Sequence, residues 1–141
     1  MKRLFYLVSS VAIVLGFESC SLDDDGANFH YTPLQIVNAQ VPDTFEFGRV
    51  YTINVDLLRP DNCTLADRFD VRRSATDSTN IRTVSHIGIV LEKDECAEVA
   101  EEISDSFQFE VIYTEPYIFK FYSGNNENGD AEFIEVQVPV K

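Results

Sequence analysis

Thiols, imidazoles and clustered carboxylates are the residues here that could carry chemistry. The chain holds three cysteines, two histidines and 24 acidic residues. A general base needs a nucleophile within reach and a third group to orient it. Neither His30 nor His86 has such partners nearby in sequence. His86 sits among apolar neighbours in a strand-like stretch, and reads as a surface or satisfied position rather than as a base. No Gly-rich phosphate loop, H-E-x-x-H or nucleophile elbow occurs. Glu98, Glu101 and Glu102 are at helical spacing and would share one solvated face; a weak calcium site is the sharper alternative. The stretch Asn126-Glu127-Asn128-Gly129-Asp130 faintly resembles a calcium loop. It lacks the opening Asp and the closing bidentate Glu, and an Asn-Gly turn explains its residues without a metal. The expectation is therefore no catalytic residue, no metal site and no cofactor.

The third cysteine, Cys20, has a different context. Met1-Lys2-Arg3 is a short basic start. A largely apolar run of 12 residues follows, Leu4 to Leu15. It is too short to span a bilayer and fits the core of a signal peptide. Then comes Gly16-Phe17-Glu18-Ser19-Cys20, a cysteine after a small residue. This arrangement resembles the lipobox of bacterial lipoproteins. Ser19 fits that pattern, whereas Phe17 and Glu18 depart from it. Ser21-Leu22-Asp23-Asp24-Asp25-Gly26 resembles the acidic export signal of Bacteroidota lipoproteins. The resemblance implies cleavage before Cys20, a lipid on its thiol, and residence on the outer membrane, on its outer face. It divides the chain into a signal peptide (1–19), a lipidated cysteine with acidic tether (20–32) and a folded domain (33–141). It also implies an oxidising compartment. With Cys20 acylated, Cys63 and Cys96 remain as an even pair and are expected to form a disulfide.

Net charge is −13. A surface this acidic repels nucleic acid and bare anionic membrane. The charge is uneven: residues 49–82 are arginine-rich and residues 92–135 acid-rich. The second stretch is either a solvated surface or a face for a cationic partner.

Such residues must be positioned by strands. Hydrophobic residues make up 45% of the chain, with 11 Phe, six Tyr and only six Gly. That mix suits β-structure. Seven strand-like runs lie between turn signals: Pro33–Val41, Arg49–Leu58, Leu65–Arg73, Ile81–Leu91, Ser106–Tyr113, Tyr117–Tyr122 and Ala131–Val140. In the second, Tyr51, Ile53, Val55 and Leu57 alternate with Thr52, Asn54 and Asp56. In the fourth, Ile87, Ile89 and Leu91 share one face. Phe107, Phe109, Phe119 and Phe121 are spaced as core residues. Tyr31, Tyr113 and Tyr122 are available to stack on sugars at a sheet edge. Residues 94–104 contain no Gly or Pro, and Asp94 could cap them; they predict a short helix. Asn128-Gly129 predicts a hairpin between the last two strands. The expected fold is an all-β, antiparallel, immunoglobulin-like sandwich of about seven strands with one short helical segment.

Together these features predict a lipid-anchored, non-catalytic envelope module with a binding or complex-supporting role. Its partners would be the membrane, through the anchor, and an envelope protein or a glycan. A glycan- or protein-binding accessory of uptake or adhesion is the alternative, and a small hydrolase is a distant third.

Overall fold

A computed structural model describes residues 28–74 and 80–141. Cys20, the signal segment and most of the tether therefore lie outside the described residues. The seven strands are β1 (Phe29–Gln40), β2 (Val50–Asp61), β3 (Thr64–Arg73), β4 (Ile81–Leu91), β5 (Glu98–Glu110), β6 (Tyr117–Asn125) and β7 (Ala131–Val138). They join one hydrogen-bonded path, β5-β2-β1-β4-β6-β7, with β3 added to the free side of β4.

β1 makes the fold possible. Its first half, Phe29 to Leu34, pairs antiparallel with Leu91 to His86 of β4. Its second half, Gln35 to Gln40, pairs antiparallel with β2 and carries a register shift between Ile36 and Asn38. A bulge of this kind bends a strand and increases its twist. The sheet curls around β1 so that its two halves face each other. Phe107 of β5 meets Phe69 of β3 with ring centroids 4.8 Å apart. Phe109 of β5 meets Phe119 of β6 at 4.9 Å.

Period-2 alternation selects the core. Ile53, Val55 and Leu57 of β2 are buried, as are Phe109, Phe119, Phe121 and Val138. Phe45, outside the strands, is also fully buried. It is held by backbone bonds to Pro139 and Lys141 beside the parallel bridge Phe45–Val140. The Tyr117 hydroxyl accepts hydrogen bonds from the Ile112 and Tyr113 amides, 3.0 Å each. The β6–β7 hairpin forms as expected. Gly129 turns it at φ +86°, a conformation open to glycine at little cost.

Three expectations are corrected. First, the sheet is mixed, because β4 and β6 run parallel through Ile81–Val84 and Ile118–Phe121. The long connection through β5 allows a crossover that a hairpin would not. This pairing departs from an antiparallel immunoglobulin arrangement, and the strands join in one path rather than two separate sheets. Second, residues 94–104 form no helix. Residues 98–104 open β5, which pairs with β2 along its length, from Val50–Glu110 to Asp61–Glu98. Helix propensity is a weak preference that a long ladder overrides. One extra residue on β5, between Glu98 and Glu101, makes a bulge against Arg59–Asp61, and Ala100 there has φ 44°. Third, the folded strand starts at Phe29 rather than Pro33, because β4 offers partners for the four preceding residues.

Candidate functional site

Asp56 sits on the outer side of β2, opposite Asn38 of β1 and Ser104 of β5. Its two carboxylate oxygens each receive a bond from a different strand. Asn38 Nδ2 donates to Oδ2 at 2.9 Å, and Ser104 Oγ donates to Oδ1 at 2.7 Å. These bonds, Ser104 first, hold the Asp56 carboxyl below its ordinary value of 3.8. One row away lie Gln40, Asn54 and Ser106, again in register. In the next row Gln108 Nε2 donates to Thr52 Oγ1 at 2.8 Å. From Thr52 to Asp56 the outer face of β1, β2 and β5 is thus a patch of amides, hydroxyls and one carboxylate, with Glu110 and Glu102 of β5 at its two ends. Strand alternation places it there: the same pleat that buries Ile53, Val55 and Leu57 turns Thr52, Asn54 and Asp56 outward.

The outer face of the other half is different. Phe29 stands beside Leu91; Tyr31, Ile89 and Leu65 form the next row; Pro33, Ile87 and Arg68 form the third. Phe29, Tyr31 and Leu65 are 49%, 53% and 43% exposed. The Phe29 and Tyr31 rings meet edge to face at 5.5 Å. The Arg68 guanidinium lies 4.9 Å from the Tyr31 ring centroid and forms an ion pair with Asp67. Farther down the same face, apolar residues give way to the Asp70–Arg72 and Lys120–Glu135 pairs. Ile87, Ile89 and Leu91 share one face, as the sequence predicts, but it is the outer one. Val84 and His86 take the inner face.

His86 is fully buried, and its Nε2 lies 2.9 Å from Asp105 Oδ2 across the two halves of the sheet. Its ring and that of Phe69 meet edge to face, with centroids 4.6 Å apart. Its Nδ1 is buried without a hydrogen-bond partner, so this imidazole is closed to any substrate. His30 is exposed, 3.7 Å from Glu92. Arg82, on the inner face, lies within 5.2 Å of the Tyr117 ring and 5.6 Å of the Tyr113 ring. Burial lowers its pKa from the usual value.

Cys63 and Cys96 come together at disulfide distance, with sulfurs 2.02 Å apart and Cα atoms 5.6 Å apart. Cys63 sits in the β2–β3 turn and Cys96 just before β5. The same junction is tied by the Asn62 amide, which donates to the Ala97 carbonyl, by Asn62 Oδ1, which accepts from the Ala97 amide, and by Asp61 Oδ1, which accepts from the Cys63 amide and the Thr64 hydroxyl. Glu98, Glu101 and Glu102 share no helix face; Glu101 pairs with Arg59 of β2. In the β6–β7 loop, Asn126 Oδ1 accepts from the Asn128 and Asp130 amides, so its side chain serves the turn itself. Of the tyrosines available for stacking, Tyr31 is exposed, Tyr113 bonds Arg73, and Tyr122 bonds Asn125.

Sequence reasoning assigned no role to the polar face. Its signal was present in the alternation of Thr52, Asn54 and Asp56 and of Ser104, Ser106 and Gln108. Pairing of β5 with β2 was the missing link. No protein-family model, curated protein or solved structure matches this chain.

Proposed function

We propose that the protein is a lipid-anchored, non-catalytic module of the bacterial envelope that binds a partner through the outer face of β1, β2 and β5. The observation that carries the reading is the three-strand hydrogen-bonded array centred on Asp56. Its groups are held in place before any ligand arrives, which lowers the ordering cost of binding. The anchor is Cys20, in the lipobox-like context above, and the location is the outer membrane. We read the two facing halves as layers of a β-sandwich sharing β1, and the Cys63–Cys96 pair as its covalent staple. The non-catalytic reading is supported by His86, whose ring is enclosed between the halves.

A crosslinking pull-down of the lipidated protein from its own membrane tests this reading. The wild type is expected to retain a stoichiometric partner that Asn38→Ala/Asp56→Ala/Ser104→Ala loses. Equal recovery by both proteins would remove the polar face from the proposal. A second reading, a glycan-binding accessory, is favoured by the same amides and hydroxyls, which suit sugar hydroxyl groups. Thermal stabilisation of the wild type by a free oligosaccharide, absent in the triple variant, would select it.

A further inference from the structure

One side of β5 is bare. Among the described residues β5 pairs with β2 alone and ends the hydrogen-bonded path. It is 13 residues long, and a free edge of that length is a template for pairing with another chain. We propose that Asp105 closes this edge: its carboxylate caps the central outward amide and keeps the β5 strands of two molecules from joining.

The register shows which groups face out. The Val111 amide donates to the Arg49 carbonyl at 2.9 Å, and the Val111 carbonyl accepts from the Gly48 amide at 2.8 Å. From Val50–Glu110 to Arg59–Glu101 the pairing with β2 has no shift. Backbone direction alternates along such a ladder. Ile103, Asp105, Phe107 and Phe109 therefore turn their amides and carbonyls to β2. Glu102, Ser104, Ser106, Gln108 and Glu110 turn theirs to the open side. Ser106 is the middle of this outward row, and its amide is already engaged: it donates to Asp105 Oδ1 at 2.7 Å. What remains is Glu102 to Ser104 and Gln108 to Glu110, each no longer than the shortest strands, about three residues. Beyond them lie Ala100, in the left-handed region, and Val111, bonded to the β1–β2 connection.

Asp105 belongs to the inner side of the sheet, opposite buried Val55. Its second oxygen, Oδ2, lies 2.9 Å from His86 Nε2 on the facing half. The buried imidazole thus fixes the carboxylate from one end while the edge amide takes the other, which makes His86 a positioning residue. The Asp105 side chain keeps 42% of its surface in water. A strand laid along β5 would strip that water from a charge, which is unfavourable. The outer side adds to the barrier. Two β5 strands joined antiparallel about Ser106 would set Glu102 opposite Glu110 at both ends, and like charges so placed repel. One consequence concerns the polar face: whatever binds there meets the side chains of β5, not its backbone.

The test uses the full chain in detergent. Glu102→Lys turns the repulsion at both ends into attraction and leaves Asp105 in place; Glu102→Lys/Asp105→Ala removes the cap as well. By native mass spectrometry Glu102→Lys is expected to remain monomeric. The double variant is expected to dimerise, with the Ser104 and Gln108 amides becoming protected from hydrogen exchange. In the wild type the Ser106 amide should exchange about tenfold more slowly than those of Ser104 and Gln108, corrected for intrinsic rates. Asp105→Ala should erase that difference. If loss of the carboxylate alone prevents folding, adding His86→Phe to the double variant carries the same test, because no unpaired nitrogen is then left inside. Three results would each overturn the proposal: a dimer of Glu102→Lys with Asp105 intact, a double variant that stays monomeric or dimerises without protecting Ser104 and Gln108, or equal exchange of the three amides in the wild type.

Discussion

His86 and Ala100 both depart from what their surroundings would ordinarily choose. A histidine with no exposed surface and one partnered nitrogen is accepted only because Nε2 reaches Asp105 across the fold. Removing the ring leaves a cavity beside Phe69 and breaks the His86–Asp105 bond between β4 and β5. His86→Ala is therefore expected to cost about 2–3 kcal/mol, measured by urea unfolding. Asp105→Ala should cost about 1–3 kcal/mol, because it leaves His86 Nε2 buried without its partner. Equal losses would mean that the bond, not the packing, dominates. Ala100 occupies the left-handed region at the β5 bulge, where a Cβ is disfavoured by about 1 kcal/mol or more. Ala100→Gly is expected to be neutral or stabilising by about 0.5 kcal/mol after the entropy of the unfolded glycine is counted. Ala100→Val is expected to destabilise by about 1–2 kcal/mol. A stabilising valine would show that the bulge does not hold this conformation in solution.

At the level of elements, β4 shows how close the packing is. A Cβ at Gly88 would meet Leu34 Cγ at 3.0 Å and the Leu65 carbonyl at 3.1 Å. Gly88→Val should therefore push β1 from β4 and lower the thermal midpoint by several degrees. An unchanged midpoint would mean that β1 can shift without loss. The β2–β3 turn and the start of β5 are tied by the Cys63–Cys96 pair over a sequence separation of 33. Chain-entropy reasoning gives about 3.5–4 kcal/mol for closing such a loop. Cys63→Ser/Cys96→Ser is expected to lose that amount in chemical unfolding, and reduction of the wild type should lose the same. The strands were legible because their alternation is local: Ile53, Val55 and Leu57 declare a buried face without reference to any partner. Residues 94–104 were not. Their composition suits a helix, and only the ladder to β2, which lies some 40 residues earlier in sequence, makes them a strand. The faces of β4 were likewise ambiguous, since Val84 and His86 on one side compete with Ile87 and Ile89 on the other. The covering by β5, absent from local sequence, decides between them. The Asp56 array escaped notice for the same reason: its three residues come from three strands.

For the whole molecule, acid sets the clearest expectation. Asp56 and Asp61 are held below 3.8 by hydrogen bonds, chiefly from Ser104 and Thr64 respectively. A carboxyl whose folded value is depressed stabilises the fold above its unfolded value, and that contribution is lost as pH falls through the folded one. Stability from these groups should hold from pH 7 down to the ordinary aspartate range and fall below it. Asp56→Asn/Asp61→Asn is expected to be less stable than wild type at neutral pH and to lose less on acidification, as read by urea midpoints. A parallel loss in both proteins would place the acid response in other carboxylates. Strand β1 has a mechanical consequence. Among the described residues it is the element hydrogen-bonded to both halves, β4 on one side of its midpoint and β2 on the other. It is also where any pull arriving through Asn28 first acts. Such a load meets the six residue pairs with β4 before it reaches the rest of the molecule, and withdrawing β1 breaks the hydrogen-bonded path in its middle. Tension from the N-terminal side should thus produce one rupture event with no half-open form that bears load.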